Sequence, residues 1–234
     1  RGRYIACLEG DDYWTDPHKL QTQVDFLEAN PEYAACTHRV DIVDAQGKLQ
    51  QGLPFRRFYR GKRYTLAQAI AGYLPGATSS LVYRNVFVGP DAGEQRLLEA
   101  CRCVGDMRIA TYLSCKGPIR CLPQHMGVYR WSLTNGSYSA RTQAQNKTAL
   151  TLEWLRERKA LAQALLGHPV NFAKGYRQIT YYAWVQLIKK PNESNRQLFL
   201  LAWGEDPCKV RTLLYLLWNT LTAPFRRLLR AICE

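Results

Sequence analysis

Three carboxylates lie within four residues near the start of this 234-residue chain: Glu9, Asp11 and Asp12. They directly follow the apolar residues 4–8, a run that predicts a short buried strand. Neighbouring carboxylates at the end of a strand repel one another, so such a cluster is usually neutralised by a bound group. Mg²⁺ and Mn²⁺ prefer oxygen ligands and bridge to phosphates. The cluster therefore indicates a site for a divalent cation with a phosphate-bearing ligand, although Asp11 and Asp12 could equally cap the next helix.

The charge of the chain is unevenly distributed. The net charge is +13, of which residues 1–139 carry +4 and residues 140–234 carry +9. A basic, aromatic-rich half suits an anionic membrane surface, a polyanion or a phosphate-bearing substrate, and the plain alternative is a solvated basic surface without a partner. The eight cysteines contain no C-x-x-C pair, so a zinc site is disfavoured and a reduced, cytosolic protein is the simplest interpretation.

The elements that must position the carboxylates follow an α/β pattern up to about residue 139. Thr15 or Asp16 is expected to cap a helix with Pro17 at its first position, and Asn30-Pro31 ends that helix. Further on, composition and periodicity predict strands over residues 33–43, 78–83 and 119–131 (the last interrupted at residue 123), a turn at 44–47, a basic aromatic loop at 54–63, and helices over 65–73, 92–103 and 107–115.

From about residue 140 the strand signals stop and three or four amphipathic helices are predicted. They are separated by breaks at residues 167–169, 191–192 and 206–207. The last helix carries an apolar stripe of Val210, Leu213, Leu214, Leu217, Trp218 and Leu221. No apolar run reaches the 18 residues that would indicate a membrane span. The stripe suits a helix lying on a bilayer surface, and packing against the rest of the protein is an equally favoured alternative.

Residues 2–17, with the sequence GRYIACLEGDDYWTDP, are continued by Lys19-Leu20-Gln21 and by residues 23–27, and together they closely resemble family 2 glycosyltransferases. Members of that family are inverting, metal-dependent enzymes with the GT-A fold. Their acidic motif is usually written D-x-D, with an apolar strand before it and often D-Y-W after it. The resemblance implies that Asp11 holds Mg²⁺ or Mn²⁺ with Asp12 as an accessory ligand. Glu9 replaces the family's first Asp and contacts the metal or the donor's ribose, and Trp14 lines the donor or acceptor site.

A second matching segment is Gly105-Asp106-Met107, at the start of a predicted helix. It resembles the place where the family carries its catalytic base. An inverting transfer needs one carboxylate to take the proton of the acceptor hydroxyl as that hydroxyl attacks the anomeric carbon. The positive end of the helix dipole would keep Asp106 ionised. Judged without the resemblance, the residue would be an ordinary helix N-cap.

Two more segments extend the resemblance to about residue 140. Tyr129 and Arg130, in Val128-Tyr129-Arg130-Trp131, resemble the family's V-Y-R strand, and residues 135–139 resemble its G-S-W loop, which closes over the donor diphosphate. The guanidinium of Arg130 has the fork geometry that binds phosphate through two hydrogen bonds. Ser132 stands where many members have a His. The run Thr78-Ser79-Ser80 resembles the loop beside the donor sugar.

The resemblance implies that residues 1–139 form the C-terminal part of a GT-A sheet domain, with residues 140–234 as a basic helical region. We expect the nucleotide-binding βαβ half to precede this chain in its parent protein. The implied function is transfer of a sugar from a nucleotide-diphospho-sugar to a saccharide or lipid-linked acceptor, in cell-surface polysaccharide synthesis at the inner membrane face. The rival is a non-catalytic membrane-surface or partner-binding module whose carboxylates are structural caps. A nucleic-acid binder is disfavoured, because aromatic and basic residues do not interleave as in known modules.

Overall fold

The computed structural model of the protein describes residues 2–50, 58–59, 61–88, 93–131 and 146–233, with side chains up to residue 222. The chain divides into two compact units. The first consists of Arg1–Gln145 with Trp154–Val170, and the second consists of Asn146–Glu153 with Asn171–Glu234. The first unit therefore contains the predicted domain over residues 1–139 together with a helical segment from beyond it.

The first unit is a mixed α/β structure, as the sequence predicts. Its strands are β1 (Tyr4–Ala6), β2 (Tyr13–Trp14), β3 (Ala35–Val43), β4 (Arg63–Tyr64), β5 (Val82–Arg84) and β6 (Ile119–Arg130). Its helices are α1 (Lys19–Ala29), α2 (Leu66–Ile70), α3 (Gln95–Ala100), α4 (Gly105–Lys116) and most of α5 (Lys147–Leu166). In the described residues the strands form one six-stranded sheet in the order β1-β5-β3-β6-β2, and β4 also pairs with β6. Strands β3 and β6 run parallel, and the other pairs are antiparallel.

Strand β6 organises this sheet, and it continues through Pro123 instead of being interrupted there. On one side it pairs with β3 along most of its length. On the other side β4 pairs with its first residues and β2 with Gly127 and Val128, so Pro123 lies between these two ladders. The β3–β6 register also shifts between Thr37 and Asp41. A proline, which has no N–H to donate, is tolerated where the ladder is irregular or unpaired.

Strand β1 is less buried than the apolar run over residues 4–8 predicts. Tyr4 and Ile5 are half-buried and Ala6 is exposed. The reason is position, because β1 lies at the edge of the described sheet and pairs with β5 alone. An apolar run predicts that a strand forms, but it does not predict how many other strands pair with it.

Helix α1 begins two residues later than the predicted cap allows. Lys19 is its first residue, and the N-cap position is His18. Asp16 does not cap the helix, because its Oδ1 accepts the N–H of His18 at 2.8 Å and so closes a turn before the helix. The helix ends at Asn30, as the Asn-Pro signal predicts.

The segment predicted as a strand over residues 78–83 has two parts. Thr78–Ser80 forms a 3₁₀ turn, and the strand proper is β5. The helix before it, α2, is shorter than the predicted 65–73. It starts with a capping box between Thr65 and Gln68, and Gly72 with φ of 81° lies just beyond its end.

The core of the first unit lies where α2, α4 and the sheet meet. Tyr64, Leu113 and Ile119 are almost completely buried there. The helix α5 is tied to this core by Arg158, a guanidinium that is only 4% exposed. Arg158 Nε donates to Thr111 Oγ1 at 2.9 Å, and Nη2 donates to the carbonyl of Ala69.

The second unit is helical. It contains α6 (Ala173–Lys189), α7 (Glu193–Glu205) and α8 (Lys209–Cys233), and the predicted breaks at residues 191–192 and 206–207 are confirmed. The helix α8 passes through Pro224 without ending. In the part of the chain that the structure describes, no helix has both the length and the apolar character needed to cross a bilayer.

Candidate functional site

The acidic segment predicted from the sequence forms a tight turn between β1 and β2. The N–H of Asp12 donates to the Glu9 carbonyl at 3.1 Å. Asp12 is 7% exposed, and its Oδ1 accepts the N–H of Arg130 at 2.9 Å. Its other oxygen, Oδ2, is buried and has no hydrogen-bond partner among the described residues. Asp12 therefore joins the acidic turn to the end of β6 with one oxygen and keeps the other buried.

The side chain of Arg130 binds backbone carbonyls. Its Nε donates to the Asp11 carbonyl at 3.2 Å, and its Nη1 donates to the carbonyls of Asp44 and Ala45, each at 3.1 Å. Arg130 thus ties the acidic turn to the turn that follows β3. These contacts are structural, and the diphosphate contact expected of Arg130 stays a prediction.

Asp106 lies in the first turn of α4, where Val104 and not Asp106 occupies the N-cap position. The N-cap alternative for this aspartate is therefore wrong. Its Oδ1 accepts the N–H of the next residue, Met107, at 2.6 Å. Asp106, Thr78, Gly76 and Ile109 line one small cleft. A carboxylate at a helix N-terminus and at the wall of a cleft has the placement that a general base requires.

Electrostatic effects place Asp106 and the acidic turn in one neighbourhood. Burial, followed by Glu9, Asp12, Asp11 and Asp106, raises the pKa of Tyr129 to about 12. Partial burial of the carboxyl group, followed by Asp12, Asp11 and Asp106, also raises the pKa of Glu9. Negative groups disfavour a further negative charge only at short range. The four carboxylates that the sequence singles out therefore all contribute to the raised pKa of Tyr129, whose ring packs edge-on against Phe58 at 6.2 Å between centroids.

Trp14 is the centre of a second, buried group of side chains. Its indole Nε1 donates to the Ser79 carbonyl at 2.8 Å. The ammonium of Lys19 lies 3.8 Å from the centre of the indole ring. Lys19 is 1% exposed, and its Nζ has no hydrogen-bond partner in the described part of the chain. Burial lowers the pKa of Lys19 to about 8.

His38 belongs to the same buried group. It is 3% exposed, and burial lowers its pKa to about 4. A Cβ at Gly127 would lie 3.3 Å from His38 Cε1 and 3.6 Å from Trp14 Cδ1, so the glycine leaves room for both rings. Sequence reasoning missed Lys19 and His38. No local signal marked His38, since its sequence neighbours Thr37 and Arg39 are polar.

The three hydroxyl residues predicted beside the donor sugar face different surroundings. Thr78 lines the cleft that contains Asp106. Ser80 is fully buried, and its hydroxyl donates to the Ala77 carbonyl at 2.7 Å. Ser79 is 1% exposed, and its hydroxyl lowers the pKa of Asp12, which burial raises. The 3₁₀ turn therefore buries Ser79 and Ser80, and the contact with the donor sugar expected of these hydroxyls stays a prediction.

The carboxylates of the acidic turn suit a cation that is bound together with a phosphate-bearing ligand. Among the described residues no group of three or more His, Cys, Asp or Glu side chains is arranged to hold a metal ion by itself. Mg²⁺ typically takes one or two carboxylates and completes its shell with waters and substrate phosphates. The exposed side chains of Glu9 and Asp11 fit that second kind of site, whereas Asp12 is 7% exposed and its Oδ2 is buried.

Three of the predicted features lie outside the described residues. These are Ser132, the loop over residues 135–139, and half of the basic aromatic loop over residues 54–63.

No family model matches this chain. It is similar to Uncharacterized protein Mb1547 of Mycobacterium bovis and to Uncharacterized protein Rv1520 of Mycobacterium tuberculosis, at 29% identity over 243 residues in each case. The alignments cover 99% of this chain and 64% of each relative, so the chain spans less than two thirds of the length of the curated relatives it matches. Neither relative's name states an activity.

Proposed function

We propose that the protein is a metal-dependent, inverting glycosyltransferase with a GT-A fold. It moves a sugar from a nucleotide-diphospho-sugar to a saccharide or lipid-linked acceptor in cell-surface polysaccharide synthesis. One observation carries the proposal: Asp106 and the acidic turn, which are far apart in sequence, both raise the pKa of Glu9 and of Tyr129. A proton acceptor and a group of oxygen ligands in one neighbourhood are what such a transfer needs.

Each residue has a distinct role in this proposal. Asp106 takes the proton of the acceptor hydroxyl, and Thr78, which lines the same cleft, hydrogen-bonds the sugar. Asp11, together with Asp12 or Glu9, would hold Mg²⁺ or Mn²⁺. Such a cation would supply positive charge to offset the charge that develops on the departing nucleotide diphosphate. Arg130 keeps the acidic turn in place through three carbonyl contacts. We place the reaction in the cytoplasm at the inner membrane face, where such acceptors are held.

The test is the substitution Asp106→Asn in the full-length protein, with donor binding and transfer measured separately. Loss of a general base lowers the transfer rate by about 10²–10⁴-fold, while the affinity for the nucleotide-diphospho-sugar changes little. The matched control is Asp25→Asn, because Asp25 is an exposed carboxylate on α1. Normal turnover in the Asp106→Asn protein would remove the proposed base and, with it, the mechanism.

The rival function, a non-catalytic surface module, has support of its own. Most of the described hydrogen bonds of the Asp12 and Arg130 side chains are to backbone groups, as is usual for residues with a structural role. Donor binding separates the two functions. A module without catalysis binds no nucleotide-diphospho-sugar, with or without Mn²⁺, and the substitution Asp11→Asn changes nothing that can be measured.

A further inference from the structure

Helix α8 buries Thr212, Leu216 and Asn219 and exposes most of its apolar side chains. Thr212 is fully buried and donates its hydroxyl to Asp206 Oδ2 at 2.6 Å. Asn219 is 7% exposed and donates to the Tyr215 carbonyl at 2.8 Å. Six large apolar side chains on the same helix are between 48% and 76% exposed: Val210, Leu213, Leu214, Leu217, Trp218 and Leu221. We call these six residues the outer face of α8.

The outer face is continuous. At 3.6 residues per turn, its six residues fall within an arc of roughly 140° of the helix surface. Thr212 and Asn219 lie on the opposite side of the same helix by this spacing. Exposed apolar surface of this extent on a protein generally marks a place where another surface binds. Because the buried side already holds α8 in the second unit, the outer face is free to serve a partner.

Charge decides what kind of partner fits. Residues 209–233 contain five basic residues and no acidic residue. Two of these, Lys209 and Arg211, adjoin Val210 at the start of the outer face. A matching partner must therefore combine an apolar region that buries the outer face with negative charge beside it. A second copy of α8 would supply an apolar surface but would bring five more positive charges. An anionic bilayer supplies both an apolar interior and negative charge.

We propose that α8 lies in the interfacial layer of an anionic lipid bilayer, with its outer face among the acyl chains and Lys209 and Arg211 at the level of the headgroups. This assignment rests on the peripheral location proposed above and does not depend on the transfer chemistry. It names the residues that would hold the protein at the membrane. Aromatic residues such as Trp218 are favoured at this depth because one end of the indole is apolar and the other can hydrogen-bond.

The experiment measures co-sedimentation of the protein with vesicles, without any sugar donor. Vesicles of equal parts phosphatidylglycerol and phosphatidylcholine are compared with vesicles of phosphatidylcholine alone. The double substitution Leu214→Glu/Leu217→Glu places two charges on the outer face, and we expect it to lower binding to the anionic vesicles by at least about tenfold. The matched control is Leu200→Glu/Leu201→Glu on α7, where both leucines are 50% exposed. We expect the control to change binding by less than about twofold.

Three outcomes would overturn the proposal. The first is a wild-type protein that sediments with neither kind of vesicle, or equally with both. The second is an equal loss in the two double variants, which would place the contact elsewhere. The third is a self-associating wild-type protein that becomes monomeric in the Leu214→Glu/Leu217→Glu variant and binds no vesicles, because a second copy would then cover the outer face. Circular dichroism spectra of both variants establish that they remain folded, and loss of transfer in Asp106→Asn leaves every one of these outcomes unchanged.

Discussion

The buried ammonium of Lys19 should make the free energy of unfolding depend on pH. This dependence can be measured without a known substrate. Burial lowers its pKa from 10.5 to about 8. Each unit of pKa corresponds to about 1.4 kcal/mol, so the charged form is penalised by about 3 kcal/mol in the folded protein. Below pH 8 both states carry the charge and the folded state bears this penalty in full. Between pH 8 and 10.5 the unfolded chain binds more protons, so the contribution of Lys19 to stability rises with pH.

The perturbation is Lys19→Met, which keeps most of the volume and removes the charge. We compare free energies of unfolding from urea titrations at pH 7, 8, 9 and 9.5. The wild-type value minus the Lys19→Met value should increase by about 2 kcal/mol between pH 7 and 9.5. Taking the difference cancels the titration of tyrosines and cysteines that both proteins share. The control is Lys48→Met at an exposed lysine, for which the difference should stay constant within about 0.3 kcal/mol.

A difference that does not change with pH would refute the reasoning. It would mean that the ammonium is solvated in solution, or that it is paired with a group that holds its charge. The result also bears on the site, since Lys19 lies over Trp14 and Trp14 holds the turn that carries Thr78. A confirmed shift would establish that the charge beside the proposed sugar site changes near pH 8.

Three further predictions concern the rest of the first unit. The substitution Arg158→Met should lower the free energy of unfolding by about 2–3 kcal/mol in urea, because two charge-assisted hydrogen bonds to buried groups are lost. Gly117→Ala should cost about 1–3 kcal/mol, since its Cβ would lie 2.7 Å from the Glu32 carbonyl oxygen. Mn²⁺ with a nucleoside diphosphate, at about one hundred times the dissociation constant, should raise the melting temperature by about 5 °C at pH 7.5. Because the raised pKa of Glu9 favours its protonated form as the pH falls, that increase should shrink toward pH 5 and depend less on pH in Glu9→Gln. An unchanged stability, or a metal effect independent of pH, would contradict the corresponding assignment.

The sequence predicts the elements best where a strong local signal marks their ends. The breaks at residues 191–192 and 206–207 and the end of α1 at Asn30 all follow from proline or asparagine at those positions. The prediction is poorer where a tertiary contact determines whether an element forms. Strand β2 has only two residues and exists because it pairs with Gly127 and Val128, which no local pattern announces.

The candidate site shows the same division. The residue types and spacing of Glu9, Asp11 and Asp12 predict a carboxylate cluster, and Asp106 contributes with Asp11 and Asp12 to the raised pKa of Glu9. The sequence could not predict that Arg130 binds carbonyls, because those carbonyls belong to turns whose positions only the folded sheet fixes. It also could not predict a buried Lys19, since a lysine at the start of a helix is ordinarily solvated.

The pairing of the sheet has a consequence for how the protein folds. Strand β1 pairs with β5 across some 80 residues, with Tyr4 opposite Arg84, and β3 pairs with β6 with Ala35 opposite Ile119. The Asp12–Arg130 hydrogen bond joins residues 118 positions apart. Closing such long loops costs entropy before any contact is gained, and chains dominated by distant pairings fold slowly. During synthesis the acidic turn emerges from the ribosome well before the strand that fixes it, since Arg130 follows Asp12 by 118 residues.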